Sequence, residues 1–132
     1  MKVTFHVPPT PASRPVVTRW STYYRKTYAN YKKDMESLVK TIDTNPIEGN
    51  IYAKFDFFVP MAKSWSNKKK NEKLGKYCDN NKDIDNYCKA IMDALNGKYY
   101  VDDNQIVAMR ARMFWTDSDR GRTECEFLKM QA

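Results

Sequence analysis

Aspartates are concentrated between Lys82 and Gln105, although the whole chain carries a formal net charge of +7. They are Asp83, Asp85, Asp93, Asp102 and Asp103. Carboxylates that lie close together repel one another unless a cation or a proton sits between them. If folding brings these side chains together, the stretch predicts a site for a divalent metal ion.

The chemistry of such a site follows from its ligand atoms, which are carboxylate oxygens. Oxygen ligands without histidine or cysteine suit Mg²⁺ or Mn²⁺. A calcium-binding EF-hand loop starting at Asp83 is excluded, because Cys88 stands where that motif needs its turn glycine. Bound ions of this kind can promote phosphodiester hydrolysis by polarising the phosphate and activating a water molecule. Lys89 would add positive charge for the transition state.

A helix beginning near Ile84 would position the first acidic residues. Apolar residues recur there at the spacing of one helical face, namely Ile84, Cys88, Ile91 and Leu95. Asp85, Lys89 and Asp93 follow one another along the flank of that face. Asp83 lies at or before the helix start, where it would act as an N-cap or share a side with Asp85 in an extended Asp-x-Asp pair.

The second acidic pair follows the end of this helix, which Asn96 and Gly97 mark. A helix of about 12 residues is only about 18 Å long, so a short return segment can bring Asp102 and Asp103 back towards its N-terminal end. The alternative is a solvated helix face with an Asp85–Lys89 ion pair, a capped helix start and an acidic hairpin. The pattern permits both structures.

The string DIDNYCKAIMDALNG, followed closely by YVDDNQIV, resembles the signature of the RusA family of Holliday-junction resolvases. The resemblance implies a small homodimeric, magnesium-dependent endonuclease, with Mn²⁺ as an alternative ion, that cuts four-way DNA junctions by paired symmetric nicks. It implies an active site formed by Asp83, Asp85, Lys89 and Asp103. Asp102 and Asp93 match acidic positions of the family, and we count Asp102 among the expected metal ligands.

Composition limits the other functions. The 132 residues suffice for a single domain, residues 1–132, and the sequence pI near 9.3 favours an acidic polymer such as DNA as partner. We find no apolar run of 18 residues and no signal peptide, so we expect a cytoplasmic protein of a bacterial cell, encoded by the bacterium, a phage or a prophage. With only four glycines and no Gly-rich phosphate loop, no organic cofactor and no nucleotide phosphotransfer are expected.

The thiol and imidazole groups do not suggest a further site. Cys78, Cys88 and Cys125 lack the spacing of a zinc site, and reduced, partly buried thiols are expected. A cysteine nucleophile with a histidine base is not expected, because His6 is the only histidine and lies in a strand pattern.

Two basic segments are candidates for DNA binding. Prolines exclude regular structure from Pro8 towards Tyr24, where Arg14 and Arg19 are interleaved with aromatic residues that could hold phosphates and exposed bases. The alternative is a proline-rich wrap whose aromatic residues pack on the sheet. The second segment precedes Asp83, includes a short helix around residues 68–74, and contributes the candidates Lys68, Lys69, Lys70, Lys76 and Lys82. A charge run is often only a solvated face, but its position beside the acidic residues favours phosphate capture.

The pattern as a whole predicts an α/β fold: a two-layer mixed β-sheet with helices on one face, in the order β-α-β-α-β-β. The predicted strands are 2–7, 51–59, 106–115 and 122–130, with helices over 29–42 and from Ile84. The last two strands are expected to form a hairpin. We therefore predict a metal-dependent endonuclease that acts on branched DNA, with a non-catalytic DNA-binding module as the alternative.

Overall fold

Alternating apolar residues determine the central strand of the sheet. In the computed structural model, which describes residues 1–131, strand β4 spans Ile51–Pro60. Its odd-numbered residues are buried and its even-numbered residues are half-buried. Because successive side chains of a strand point to opposite faces, β4 presents one fully apolar face to the core.

The main sheet has the strand order β1-β6-β4-β5, where β1 is Lys2–Phe5, β5 is Ile106–Thr116 and β6 is Arg122–Lys129. β5 runs parallel to β4, whereas β6 is antiparallel to both β4 and β1. The predicted hairpin of the last two strands is therefore wrong, since β4 lies between them. β4 has the most apolar core face and is paired on both sides, a long-range preference that a turn between neighbouring strands does not reveal.

The connection from β5 to β6 crosses the end of β4, and a glycine makes room for it. A Cβ atom on Gly121 would lie 2.9 Å from Pro60 Cγ and 3.0 Å from Pro8 Cα. Contacts that short would force the backbone apart. The glycine therefore allows a short turn to pass over β4 instead of folding back beside β5.

In the described residues three α-helices accompany the sheet: α1 (Lys26–Lys40), α2 (Asn67–Lys73) and α3 (Ile84–Leu95). The buried residues of α1 and α3 join the apolar face of β4 in one hydrophobic core. Ile84 is 39% exposed, so the predicted apolar stripe of α3 is wrong at its first residue, and Tyr87 and Ala90 are buried instead. None of the helices within residues 1–131 is long and apolar enough to cross a lipid bilayer.

The proline-rich segment contains a small hairpin that the sequence did not predict. Strands β2 (Val16–Val17) and β3 (Thr22–Tyr23) pair antiparallel in a separate two-stranded sheet. The prolines end at Pro15, so the residues that pair are free of the restriction that proline imposes. The mixed α/β class is confirmed, this hairpin is added to the predicted elements, and α2 corresponds to the short helix predicted around residues 68–74.

Candidate active site

Helix α3 positions the first group of candidate residues. Asp83 occupies the N-cap position with extended backbone, φ −76° and ψ 124°, although its carboxylate makes no capping hydrogen bond to the described chain. Asp85, Lys89 and Asp93 are all exposed. Each lies about 6 Å further along the helix axis than the one before. Lys89 Nζ pairs with Asp93 Oδ2 at 3.4 Å, whereas the sequence suggested Asp85 as its partner.

The segment after α3 turns back beside the last turn of the helix. The approach of Asp102 and Asp103 to its N-terminal end stays a prediction. Gly97 adopts a φ of +82°, in the left-handed region where glycine is strongly favoured. The Tyr100 ring is fully buried, and its hydroxyl donates to the carbonyl oxygen of Met92 at 2.6 Å. This bond joins the return segment to the last turn of α3, so Asp103 comes to lie beside the helix.

Asp102 and Asp103 lie in a short 3-10 turn, Asp103–Gln105, whose ends are held by side chains. Asp102 Oδ1 accepts from Asn104 N at 2.9 Å, and Gln105 Oε1 accepts from Val101 N at 2.8 Å and from Asp102 N at 3.1 Å. The turn therefore has a capping box, which satisfies backbone donors that would otherwise lack partners.

Gln105 also fixes this turn to the rest of the molecule. Its Nε2 donates to the carbonyl oxygens of Ile47 at 2.8 Å and Gly49 at 2.9 Å, just before β4 begins. Gln105 is therefore a positioning residue for Asp103. In the sequence Gln105 is one residue of the YVDDNQIV motif, but an Asp followed three residues later by Gln is also a recognisable capping pattern.

The electrostatic environment of Asp103 is set by its burial and its charged neighbours. Partial burial raises the pKa of the Asp103 carboxyl, and the carboxylates of Asp102 and Asp93 raise it further. The Lys89 ammonium acts in the opposite direction and lowers this pKa. Lys89 and Asp93, on the middle and later turns of α3, therefore act on the Asp103 carboxyl with opposite signs.

The candidate ligands are spread along the length of α3. Asp83 and Asp85 lie at its start, whereas Asp103 lies near Lys89 and Asp93. Within residues 1–131, no three acidic, histidine or cysteine side chains are gathered as a ready metal-binding group. The assignment of Asp83, Asp85, Asp102 and Asp103 as metal ligands stays a prediction.

The N-terminal arm, which is the proline-rich segment from Pro8 towards Tyr24, contacts the start of α3. Ala12 N donates to the carbonyl oxygen of Asn86 at 2.9 Å, so the arm runs beside the first helical turn. Arg14 follows two residues later and is exposed, and Arg19 lies in the turn of the β2–β3 hairpin. Trp20 and Tyr23 are 84% and 50% exposed, so these aromatic side chains are not buried against the sheet.

Helix α2 confirms the short helix predicted in the lysine-rich segment, and residues on both sides of α2 make contacts with the rest of the described chain. Lys69 Nζ lies 3.9 Å from the centroid of the Trp65 ring, and Lys70 Nζ donates to Lys63 O at 3.1 Å. The residues after α2 pair with the end of β5 through Trp115 N, which donates to Lys76 O at 2.9 Å.

This segment then leads directly into the start of α3. Asn80 Nδ2 donates to Tyr87 Oη at 3.0 Å, and Lys82 N donates to Asn80 Oδ1 at 3.1 Å. The side chains of Lys68, Lys76 and Lys82 are exposed. The two basic segments therefore both connect to the first turn of α3, one through Asn86 and the other through Tyr87.

Comparisons with known proteins agree with the motif at this helix. The family model for endodeoxyribonuclease RusA matches residues 6–126. The uncharacterized protein YqaN of Bacillus subtilis strain 168 is 38% identical over 85 residues, a match that covers 61% of this chain and 57% of YqaN. The chain thus spans a little over half the length of that relative. Because the family model matches nearly all of it, this chain belongs to the RusA endodeoxyribonuclease family.

Proposed function

We propose that this protein is a magnesium-dependent, structure-selective endodeoxyribonuclease that resolves four-way DNA junctions. Membership of the RusA family is the observation that carries this proposal. The electrostatic influence of Lys89 and Asp93 on Asp103 supports it, because charged groups from two separate motifs act on one carboxyl. Two basic segments adjoin the same helix and suit a polyanionic substrate.

The donor set fits a hard divalent cation. All the proposed ligand atoms are carboxylate oxygens, which Mg²⁺ and Mn²⁺ prefer. Burial and neighbouring carboxylates raise the pKa of Asp103, so a cation placed there would relieve the repulsion. Asp83, Asp85, Asp102 and Asp103 would hold the ion. When bound, Mg²⁺ or Mn²⁺ would polarise the scissile phosphate and make a water molecule more acidic.

Lys89 has a distinct role in this proposal. Its ammonium group is exposed, and its position beside Asp103 would put it near a phosphate bound at the acidic residues. There it would stabilise the negative charge that develops on the phosphate oxygens. The ion pair with Asp93 at 3.4 Å would restrict the orientation of the long lysine side chain.

DNA would be held by the two basic segments, through Arg14, Arg19, Lys68, Lys69, Lys70, Lys76 and Lys82.

A homodimer would present two equivalent sites to the junction. An isologous two-fold dimer matches a four-way junction because that substrate also offers two equivalent strands, and it would leave paired symmetric nicks.

One gel tests this function. A labelled four-way junction, a linear duplex of the same sequence and a single strand are each incubated with the protein in Mg²⁺, in Mn²⁺ or in EDTA. We expect paired nicks in the junction that require the metal ion, with little cutting of the duplex or the single strand. Equal cutting in EDTA would contradict the metal requirement, and equal cutting of all three substrates would contradict the structural selectivity.

A non-catalytic module for branched or duplex DNA is the second candidate. The specific observation in its favour is that no ready metal-binding group is present within residues 1–131. Such a module would bind DNA with a steep dependence on salt concentration but would leave the junction uncut in every lane of the gel.

A further inference from the structure

The tip of the β2–β3 hairpin carries an unusually exposed aromatic residue. Trp20 is 84% exposed, and the neighbouring apolar side chains Val17 and Tyr23 are 73% and 50% exposed. Val17 pairs with Thr22 and Val16 with Tyr23, so Val17 and Tyr23 lie on opposite faces of the hairpin, and Trp20 in the turn is the large side chain most open to a partner. The hairpin therefore gains little from burying its own side chains and is suited to contact a partner.

The turn itself is held in one shape by a threonine. Thr18 Oγ1 accepts from Ser21 N at 3.0 Å and from Trp20 N at 3.3 Å, and Thr18 N donates to Ser21 O at 2.8 Å. A two-stranded hairpin is only marginally stable alone, so these local bonds matter for presenting the ring. The Arg19 guanidinium lies 5.1 Å from the centroid of the Trp20 ring.

Both ends of the hairpin are anchored beside the candidate active site. Before it, Ala12 N bonds to Asn86 O in the first turn of α3. After it, the Tyr24 ring packs edge-on against Tyr28 at 5.1 Å, and Lys32 Nζ lies 4.3 Å from the centroid of the Tyr24 ring. The hairpin therefore lies between a segment bonded to the first turn of α3 and a residue packed on α1.

We propose that Trp20 stacks on a base exposed at the branch point of a DNA junction while Arg19 contacts an adjacent phosphate. This inference rests on the proposed function and specifies which part of the DNA junction the hairpin recognises. Bases at a branch point can leave their stack, whereas those of intact duplex are covered by neighbours. An aromatic ring can stack on such a base while a neighbouring cation binds its phosphate. The hairpin thus distinguishes branched DNA from linear DNA.

A fluorescent junction with 2-aminopurine at the branch point tests this inference. Binding is measured in EDTA with the Asp85→Asn protein, so that no cleavage is needed for the readout. Adding Trp20→Ala should weaken junction binding at least about 10-fold and abolish the change in 2-aminopurine emission, given the usual strength of base–aromatic stacking. Affinity for linear duplex should change less than about twofold, since the phosphate contacts remain.

Two further variants serve as controls. Trp20→Phe retains a stacking ring and should recover most of the affinity and of the emission change. Met130→Ala removes another exposed apolar side chain, 37% exposed and outside the hairpin, and should behave like the parent protein. Because Trp20 is so exposed, Trp20→Ala should keep the melting temperature of the parent, and sedimentation should give the same mass for both.

Several outcomes would overturn the inference. They are an unchanged emission response in Trp20→Ala, an equal loss of affinity for junction and duplex, and a changed oligomeric mass, which would assign Trp20 to a protein interface. Failure of the proposed function looks different: the wild-type protein would then cut nothing in Mg²⁺, while the binding measurement would still report whether Trp20 contacts a base.

Discussion

Gln105 Nε2 donates a hydrogen bond to the backbone carbonyl oxygen of Ile47 at 2.8 Å. This bond connects the turn that carries Asp103 to the segment that enters the central strand. The same amide accepts two backbone hydrogen bonds from the turn, so a single side chain fixes it on both sides. The position of Asp103 beside α3 therefore depends on a residue that need not touch the substrate.

Gln105→Ala should lower both stability and cleavage rate. The variant loses four hydrogen bonds of a partly buried amide and leaves the Ile47 carbonyl oxygen without that donor. We expect a loss of about 1–3 kcal/mol in the free energy of unfolding, measured by urea titration. Junction affinity should change much less than the cleavage rate. Asn104→Ala is the matched control, and equal behaviour of the two variants would contradict a positioning role.

Lys89→Gln separates a catalytic from a structural role of this lysine. The Lys89–Asp93 pair is exposed, so its loss should change the free energy of unfolding by about 0.5 kcal/mol or less. If Lys89 stabilises the transition state, the single-turnover cleavage rate should fall about 100-fold or more. Asp93→Asn breaks the same ion pair but keeps the ammonium group, and it should retain more activity. A Lys89→Gln enzyme as fast as Asp93→Asn would exclude the catalytic role.

The exposed lysines of the second basic segment should contribute to salt-dependent DNA binding. Each lysine that neutralises a phosphate adds about 0.9 to the slope of log affinity against log salt concentration. Replacing Lys68 and Lys76 by alanine should therefore reduce the slope by about 2, measured by fluorescence anisotropy. Replacing Lys33 and Lys129 removes the same charge elsewhere. If both double variants give the same slope, Lys68 and Lys76 contribute only general positive charge and do not contact phosphates.

The cysteine thiols should react slowly in the native protein. Burial, with a further contribution from Asp85, raises the pKa of Cys88 to about 11, and burial also raises the pKa of Cys125. At pH 8 the thiolate form is therefore scarce in addition to being inaccessible. Ellman's reagent should label half-buried Cys78 first and the other two only in urea. Rapid labelling of all three without urea would show that the core opens readily.

Local patterns were sufficient to predict the elements that position the candidate site. Helix α3 spans Ile84–Leu95, as its apolar spacing and the Asn96–Gly97 stop indicated. β4 and β5 each end one residue later than predicted. These features depend on neighbours in sequence, where periodicity and capping are informative.

Longer-range features could not be predicted in this way. The pairing of β5 with β4 instead of β6 depends on which faces meet in the core, and the turn between β5 and β6 looks the same in either arrangement. The hydrogen bonds from Ala12 to Asn86 and from Gln105 to Ile47 join residues that are distant in sequence, and both are accepted by backbone oxygens. A pattern of side chains does not identify such acceptors. Sequence spacing likewise does not identify the neighbours of the aspartate side chains in the fold.

The single-turnover rate of junction cleavage by Asp85→Asn in Mg²⁺ tests the central claim most directly. The substitution removes a proposed ligand and one negative charge from an exposed position, so folding and DNA affinity should be kept or improved. Asp119→Asn, an exposed aspartate in the turn after β5, controls for the change in net charge. We predict that Asp85→Asn lowers the rate at least about 1,000-fold while Asp119→Asn cuts normally. Cleavage by Asp85→Asn at the wild-type rate would contradict the assignment of the acidic residues of α3 as the active site.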